Sequence, residues 1–476
     1  MIFNSLEFSL FILVVFLCYW FLFNKTLKTQ NLFILISSYI FYGWWDWRFL
    51  GLIFFSTILD YGIGLKIYHC KNDKIRRLYL LFTILINLSL LGFFKYFNFF
   101  IDSWISLISL FGFFENDKWT LNIILPIGIS FYTFQTMSYS IDIFYKRIKP
   151  TRDFISFASF VCFFPQLVAG PIERASNFLP QILKKRMFRY RQGVEGVKLI
   201  LYGLFKKIVV ADSLSPYVDI IFENYSNLDG GVLLLGLIYF SFQIYCDFSG
   251  YSDIAIGTAK LLGFELMSNF KYPFFSRDIT EFWRKWHISM SSWFRDYLFM
   301  PMIIRYRSLG MYGVILATFL SYAIIGFWHG ANYTFIIFGI YHAILFLPNI
   351  IIKKKSNNYL IFDSGNFKTN IKECYQLLKT FFLITISWVF FRSDTVYDSF
   401  NYLFCMITKI SFPINNLEGL FFIIMIIVID WDNRKNERDL FSSSSKLKRN
   451  FYYLFLVVMI LLFSVNSGEQ FIYFQF

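Results

Sequence analysis

Met311-Tyr-Gly-Val-Ile-Leu-Ala-Thr-Phe-Leu-Ser-Tyr-Ala-Ile-Ile-Gly-Phe-Trp328-His329-Gly330-Ala331-Asn332 is the stretch on which the fold turns. From Met311 to Trp328 it carries no charged side chain. At a rise of ~1.5 Å per residue, such a run crosses most of a ~30 Å hydrocarbon layer as a helix. It ends on a histidine, in a chain that has only 4 of them. An imidazole at membrane depth carries a solvation cost, so it marks a task. Upstream, a second histidine stands in Glu281-Phe-Trp-Arg-Lys-Trp-His287-Ile-Ser-Met-Ser-Ser-Trp-Phe-Arg-Asp-Tyr297. Two histidines, each beside a tryptophan, point to proton transfer inside a bilayer.

The whole chain reads the same way. Of its 476 residues, 57% are hydrophobic and 23% aromatic, and the 16% that are charged fall well below the ~25% usual in soluble domains. Mean hydropathy is +0.53. The expected fold is an all-α polytopic membrane protein. The aromatic residues 471–476 resemble the last strand of an outer-membrane barrel, but residues 454–465 are almost continuously apolar. Barrel strands alternate instead, so the barrel is excluded. The net charge of +14 raises the question of nucleic acid. Its lysines and arginines, however, collect in short loops at 66–77, 146–152, 184–191, 353–355 and 434–449, the positive-inside pattern of a membrane protein. A nucleic-acid partner is not expected; the partner is the lipid bilayer.

Six cysteines, at 18, 70, 162, 246, 374 and 405, show no ligand spacing and read as small apolar fillers. No metal is expected, because neither an HxxxH nor an HExxH spacing occurs. Residues 8–23 read as a first span, with no small-residue cleavage site after them. Twelve spans are expected, at roughly 6–24, 31–45, 49–65, 78–97, 119–145, 196–212, 231–247, 311–328, 331–352, 378–391, 416–431 and 450–466. With the basic loops in the cytoplasm both termini lie outside. His287 then falls in the cytoplasmic half and His329 toward the outer half. Residues 1–476 are expected to form one integral unit. Two stretches, about 153–180 and 250–305, fit no simple span and read as re-entrant or half-buried, since prolines at 165, 171, 273 and 301 break them.

Two polar constellations accompany the histidines. Laid on one helix, residues 281–298 place Glu281, Arg284, His287, Ser291 and Arg295 in a ~120° arc, opposite Phe282, Trp286, Met290, Trp293 and Tyr297. An interfacial helix with tryptophan anchors explains that pattern equally well, though it leaves the histidine unexplained. The second is Gln243-Ile-Tyr-Cys-Asp247-Phe-Ser249-Gly-Tyr251-Ser-Asp253, expected at the end of a span. One of Asp247, Ser249 or Asp253 suits a helix N-cap, while all of them together suit a polar cavity. His69 reads as a solvated loop residue and His342 as a packing residue of its span.

Several segments, in this order, resemble the membrane-bound O-acyltransferase family in its bacterial polysaccharide O-acetylating branch: residues 126–145, 163–174, 243–257, 272–297, 326–332 and 471–476. The chain departs from that branch after Tyr297. It reads Phe299-Met-Pro-Met-Ile-Ile-Arg305-Tyr-Arg307, where relatives carry an Ile-Pro-Leu-Gly-Gly-Asn-Arg type loop. The resemblance implies a ring of transmembrane helices around a thinned centre, with a through-membrane funnel or tunnel. It implies His329 as the essential catalytic residue and His287 as the second functional position. It further implies acetyl-CoA as the acyl donor, with no bound cofactor. The acceptor would be an exported polysaccharide, and a periplasmic or secreted SGNH-type acetyltransferase the partner.

On that reading His329 is a general base. Trp328 shapes its site, and Asn332 or a backbone N–H serves the oxyanion. Arg284, Lys285 and Arg295 meet the phosphates of coenzyme A. Asp247, Ser249, Tyr251, Asp253, Trp286, Ser291 and Asp296 complete the expected donor- and substrate-binding set. Two other readings stand beside it. One is D-alanyl transfer to teichoic acid from a carrier protein; the other is a transporter, against which the lack of an inverted repeat counts.

Overall fold

The computed structural model describes residues 1–111, 121, 123–168, 170–352, 367–413, 416–442, 445–464 and 471–472, and every regular element among them is a helix. Among the described residues, six helical stretches are long and apolar enough to cross a bilayer: Trp47–His69, Asp73–Ser109, Gly230–Leu261, Met311–His329, Tyr333–Ile351 and Asn370–Arg392. The shorter helices Leu27–Gly43, Gly419–Asn433 and Lys446–Phe463 account for further expected spans. The chain forms two compact units, residues 1–197 with 255–267 and residues 198–254 with 268–476.

In the first unit, helices Leu50–His69, Asp73–Leu91 and Ile129–Phe144 meet at Asp60, which is fully buried. Its carboxyl accepts from Asn87 Nδ2 at 3.1 Å, from Ser140 Oγ at 3.4 Å and from the Thr83 hydroxyl. The segment expected to be re-entrant, 153–180, folds as three short helices among the described residues, Phe154–Cys162, Phe164–Leu167 and Ala175–Ile182, the first two separated by Phe163 alone. Non-helical backbone is tolerated in such a place when protein satisfies it, and here side chains do so. Gln135 and Gln166 both donate to the Phe160 carbonyl, at 2.6 and 3.0 Å, and the Phe164 N–H donates to Ser38 Oγ at 3.1 Å. The span expected at 119–145 begins only at Ile129, after the Pro126-Ile127-Gly128 turn; residues 119, 120 and 122 lie outside those described.

In the second unit, helices Met311–His329 and Tyr333–Ile351 form an antiparallel hairpin whose backbones touch. A Cβ on Gly326 would stand 2.0 Å from the Phe335 carbonyl oxygen, and one on Gly339 would stand 2.0 Å from that of Tyr322. Only glycine admits so close an approach.

Three expectations are corrected here. The span at 231–247 continues as one helix, Gly230–Leu261, of 32 residues. Asp247, Ser249 and Asp253 therefore lie inside a helix, and none of them caps one. The span at 196–212 is helix Tyr190–Leu204 running into a π-helical turn, Phe205–Ala211. Finally, residues 281–298 are not one helix. Ile279–Lys285 ends at Trp286, His287 takes a left-handed conformation (φ 41°, ψ 55°), and Ile288–Phe294 starts afresh. The break is held from outside. Ile288 N–H donates to the Asn269 carbonyl at 2.9 Å, Ser289 Oγ to Asn269 Oδ1 at 2.9 Å, and Lys271 N–H to the Lys285 carbonyl at 3.0 Å.

Candidate active site

The left-handed turn decides where His287 goes. On a continuous helix its ring would share a face with Arg284 and Arg295, both of which are exposed. Instead the reversal turns it inward, and it is 0% exposed. A non-glycine residue in this conformation costs of order 1–3 kcal/mol and persists only where its surroundings enforce it. Here aromatic rings receive it: Phe248 at 4.6 Å between centroids, Phe270 at 6.4 Å and Trp328 at 5.9 Å.

His329 reaches the same tryptophan from its own helix. Its imidazole lies 5.0 Å from the Trp328 ring, 5.3 Å from Phe391 and 5.9 Å from Phe338, and is 4% exposed. One indole is therefore in contact with both imidazoles. Gly330 completes the arrangement, because a Cβ there would fall 2.1 Å from the Phe335 ring. Phe335 in turn packs on Phe391, at 5.0 Å.

His342 has a different office. Trp283 Nε1–H donates to His342 Nδ1 at 3.3 Å, which leaves the proton of the neutral ring on Nε2. That nitrogen faces Ser387 Oγ at 3.1 Å, and the serine donates onward to the Ile384 carbonyl at 2.6 Å. The relay is complete, so His342 ties three helical segments together as a packing residue.

The expected donor-binding residues separate into three groups. Arg284, Ser291 and Arg295 line a cavity of about 400 Å³, together with Trp283, Phe294 and Ile325. Phe294 joins that cavity to the histidines, since its ring lies 6.1 Å from Trp328. Arg295 is paired with Asp296 at 2.7 Å. Lys285 is engaged by Glu281 at 2.9 Å and by the Phe275 carbonyl at 2.6 Å. Burial raises the Glu281 carboxyl, but Lys285 and Arg277 outweigh it and hold the group below its ordinary range. No ion pair engages Arg284 among the described residues, which leaves it as the available cation at the cavity.

Trp286 and Asn332 are placed elsewhere. Trp286 is buried against Trp388 at 5.1 Å and Phe282 at 5.5 Å, away from the cavity lining. Asn332 caps helix Tyr333–Ile351: its side chain accepts from Thr334 N–H at 3.1 Å and donates to the Asp394 carbonyl at 2.7 Å. With both ends of its carboxamide engaged, a cap is what it is built to be.

Asp247, Tyr251 and Asp253 belong to a buried ionic cluster whose other members the sequence reading passed over. Lys207 bridges Asp247 at 2.8 Å and Asp212 at 2.7 Å, and Lys206 pairs with Asp253 at 2.8 Å. Asp430 accepts from the Tyr245 hydroxyl at 2.8 Å and from that of Tyr202. Asp247 also receives the N–H of Ile472 at 2.7 Å, and the Phe471 ring lies tilted against Tyr251 at 4.4 Å. Residues 473–476 of the C-terminal aromatic motif lie outside those described. Ser249, fully buried, has no hydrogen-bond partner for its hydroxyl among the described residues. A signal was present: two adjacent lysines inside an otherwise apolar span demand internal carboxylates.

A many-helix membrane protein that buries two imidazoles against one indole, one ring away from a cation-bearing cavity, belongs to the class of intramembrane group-transfer enzymes. The chain is a member of the membrane-bound O-acyltransferase family, whose model matches residues 77–392. It is 37% identical over 400 residues to a probable alginate O-acetylase of Pseudomonas putida, covering 83% of this chain and 78% of that one. It is 40% identical over 349 residues to the probable alginate O-acetylase of Azotobacter vinelandii, covering 72% and 67%. It is 33% identical over 393 residues to a peptidoglycan O-acetyltransferase of Helicobacter pylori, covering 77% and 71%.

Proposed function

We propose that this protein is a multi-pass O-acetyltransferase of the bacterial cytoplasmic membrane. It takes acetyl groups from cytoplasmic acetyl-CoA and passes them to an exported cell-surface polysaccharide, with a secreted SGNH-type acetyltransferase completing delivery. The observation that carries the reading is the convergence of His287 and His329 on Trp328. The names of the relatives, O-acetylases of alginate and of peptidoglycan, support acetyl transfer to an exported glycan.

The chemistry follows from the arrangement. An acceptor hydroxyl attacks the thioester carbonyl while His329 removes its proton; the new C–O bond forms, the C–S bond breaks, and the proton passes from the imidazole to the departing thiolate. His287, in the aromatic wall on the other contact of Trp328, orients the donor. Arg284 meets a donor phosphate at the cavity. The ring-lined surroundings exclude the water that would hydrolyse the thioester.

The test uses the purified protein in nanodiscs with radiolabelled acetyl-CoA. Supplied with a polysaccharide acceptor, wild-type protein is expected to transfer label to it, and His329→Ala to lose ~10²-fold or more of that rate, the scale of general-base catalysis. A folded His329→Ala variant with normal turnover refutes the assignment. Folded wild-type protein inert toward every acyl thioester returns the field to a transporter.

A further inference from the structure

We infer that Phe391 and Phe338 are specificity-determining residues that restrict the transferred acyl group to two carbons; this rests on the proposed acetyl transfer at His329. Among the described residues, three rings stand around that imidazole, Trp328, Phe391 and Phe338, with centroids 5.0, 5.3 and 5.9 Å away and interplanar angles of 65°, 70° and 89°. All three present an edge or a tilted face at van der Waals range. An acyl carbon attached at the carbonyl that the acceptor attacks must fit among them.

The two phenylalanines cannot step aside cheaply. Phe391 is 1% exposed and is backed by Phe335 at 5.0 Å and Trp388 at 5.6 Å. Phe338 is also 1% exposed and is backed by Trp388 at 5.6 Å and His342 at 4.6 Å. Trp388 lies behind both, so the collar has a rigid rear wall. Phe335 is itself fixed, since it fills the space that Gly330 leaves. Close-packed interiors of this kind resist even one extra methylene. Trp328 is set apart from the two phenylalanines because it also contacts His287 and so belongs to the reacting centre.

The experiment compares acetyl-, propionyl- and butyryl-CoA as donors for the full-length protein in nanodiscs, reading the ratio of kcat/KM for each longer thioester to that for acetyl. In the wild type each added methylene is expected to lower kcat/KM by roughly 10–200-fold, the range for one methylene in a packed pocket. In Phe391→Leu and Phe338→Leu the propionyl-to-acetyl ratio is expected to rise at least tenfold, whatever happens to the absolute rate. Leucine keeps apolar volume while removing the ring, so the pair serves where Phe391→Ala fails to fold. A wild type that uses propionyl-CoA as readily as acetyl-CoA overturns the inference and leaves the functional reading standing. So does an unchanged ratio in both leucine variants. A folded wild type inert to all three thioesters overturns the functional reading, and the inference falls with it.

Discussion

Lys207→Met puts the buried ionic cluster to the hardest test. The Lys207 side chain is 2% exposed, and its partners Asp247 and Asp212 are 1% and 3% exposed. At 2.8 Å and an effective dielectric of ~20, one such pair attracts by about 6 kcal/mol. Most of that offsets the desolvation of the ions. What survives in measurement is the asymmetry: removing one partner of a buried pair leaves an uncompensated charge and costs ~3–5 kcal/mol. Lys207 serves two carboxylates, so the upper end of that range is expected. Asp247 also holds the Ile472 N–H, so the loss should reach the C-terminal residues. The assay is thermal unfolding of the detergent-solubilised protein, followed by size-exclusion fluorescence, for Lys207→Met, Asp247→Asn and the double variant. The double variant should be more stable than Lys207→Met alone, because neutralising Asp247 removes one of the two orphaned charges. A Lys207→Met protein as stable as wild type, or a double variant in which the two losses simply add, refutes the claim that this pair is coupled and desolvated.

Gly330→Ala places a methyl group 2.1 Å from the Phe335 ring, so Phe335 must shift against Phe391 and the His329 surroundings. Overpacking should cost ~1–3 kcal/mol, with acetyl turnover lowered, as read by melting and by label transfer on the same preparation. His342→Ala strands the Trp283 N–H and removes the N–H that Ser387 Oγ accepts, costing roughly 1–3 kcal/mol of stability, while turnover per folded molecule holds; abolished turnover at unchanged stability would give His342 a chemical role instead. Burial raises the Glu437 carboxyl, but the ammonium of Lys271, at 2.9 Å, outweighs it and holds the group below its ordinary range. A depressed carboxyl stabilises above its unfolded value of ~4.3, and that share is lost as pH falls through the lower folded value. The acid limb of stability should therefore flatten in Glu437→Gln, measured as melting temperature against pH.

Much of this molecule is legible in its sequence, and the illegible parts share a cause. The apolar runs announce helices because the bilayer leaves the backbone little alternative, and Met311–His329 falls where its composition puts it. The two motif histidines announce themselves by their cost. The helical periodicity of residues 281–298 misleads because each half is a genuine amphipathic turn, while the reversal at His287 is imposed by Asn269, eighteen residues of contour away. Lys206 and Lys207 stand inside the span expected at 196–212, and only the fold brings Asp253 and Asp247 to them. The tight register of Asn332 with Asp394 is equally invisible, since a cap and an oxyanion donor use the same side chain. Long-range partners, rather than local propensity, decided each of these positions.

The glycine contacts in the hairpin of Met311–His329 and Tyr333–Ile351 have a mechanical consequence. With carbonyl oxygens seated where Cβ atoms would be, neither helix can slide or roll on the other without separating entirely. The hairpin is a solid strut, and His329 is fixed to its tip. Whatever breathing admits a substrate and releases a product must be borne by the parts that face the strut, namely the helix end that carries Phe391 and the reversed turn at His287. A change of substrate in this scaffold would accordingly begin in those two places and leave the strut untouched.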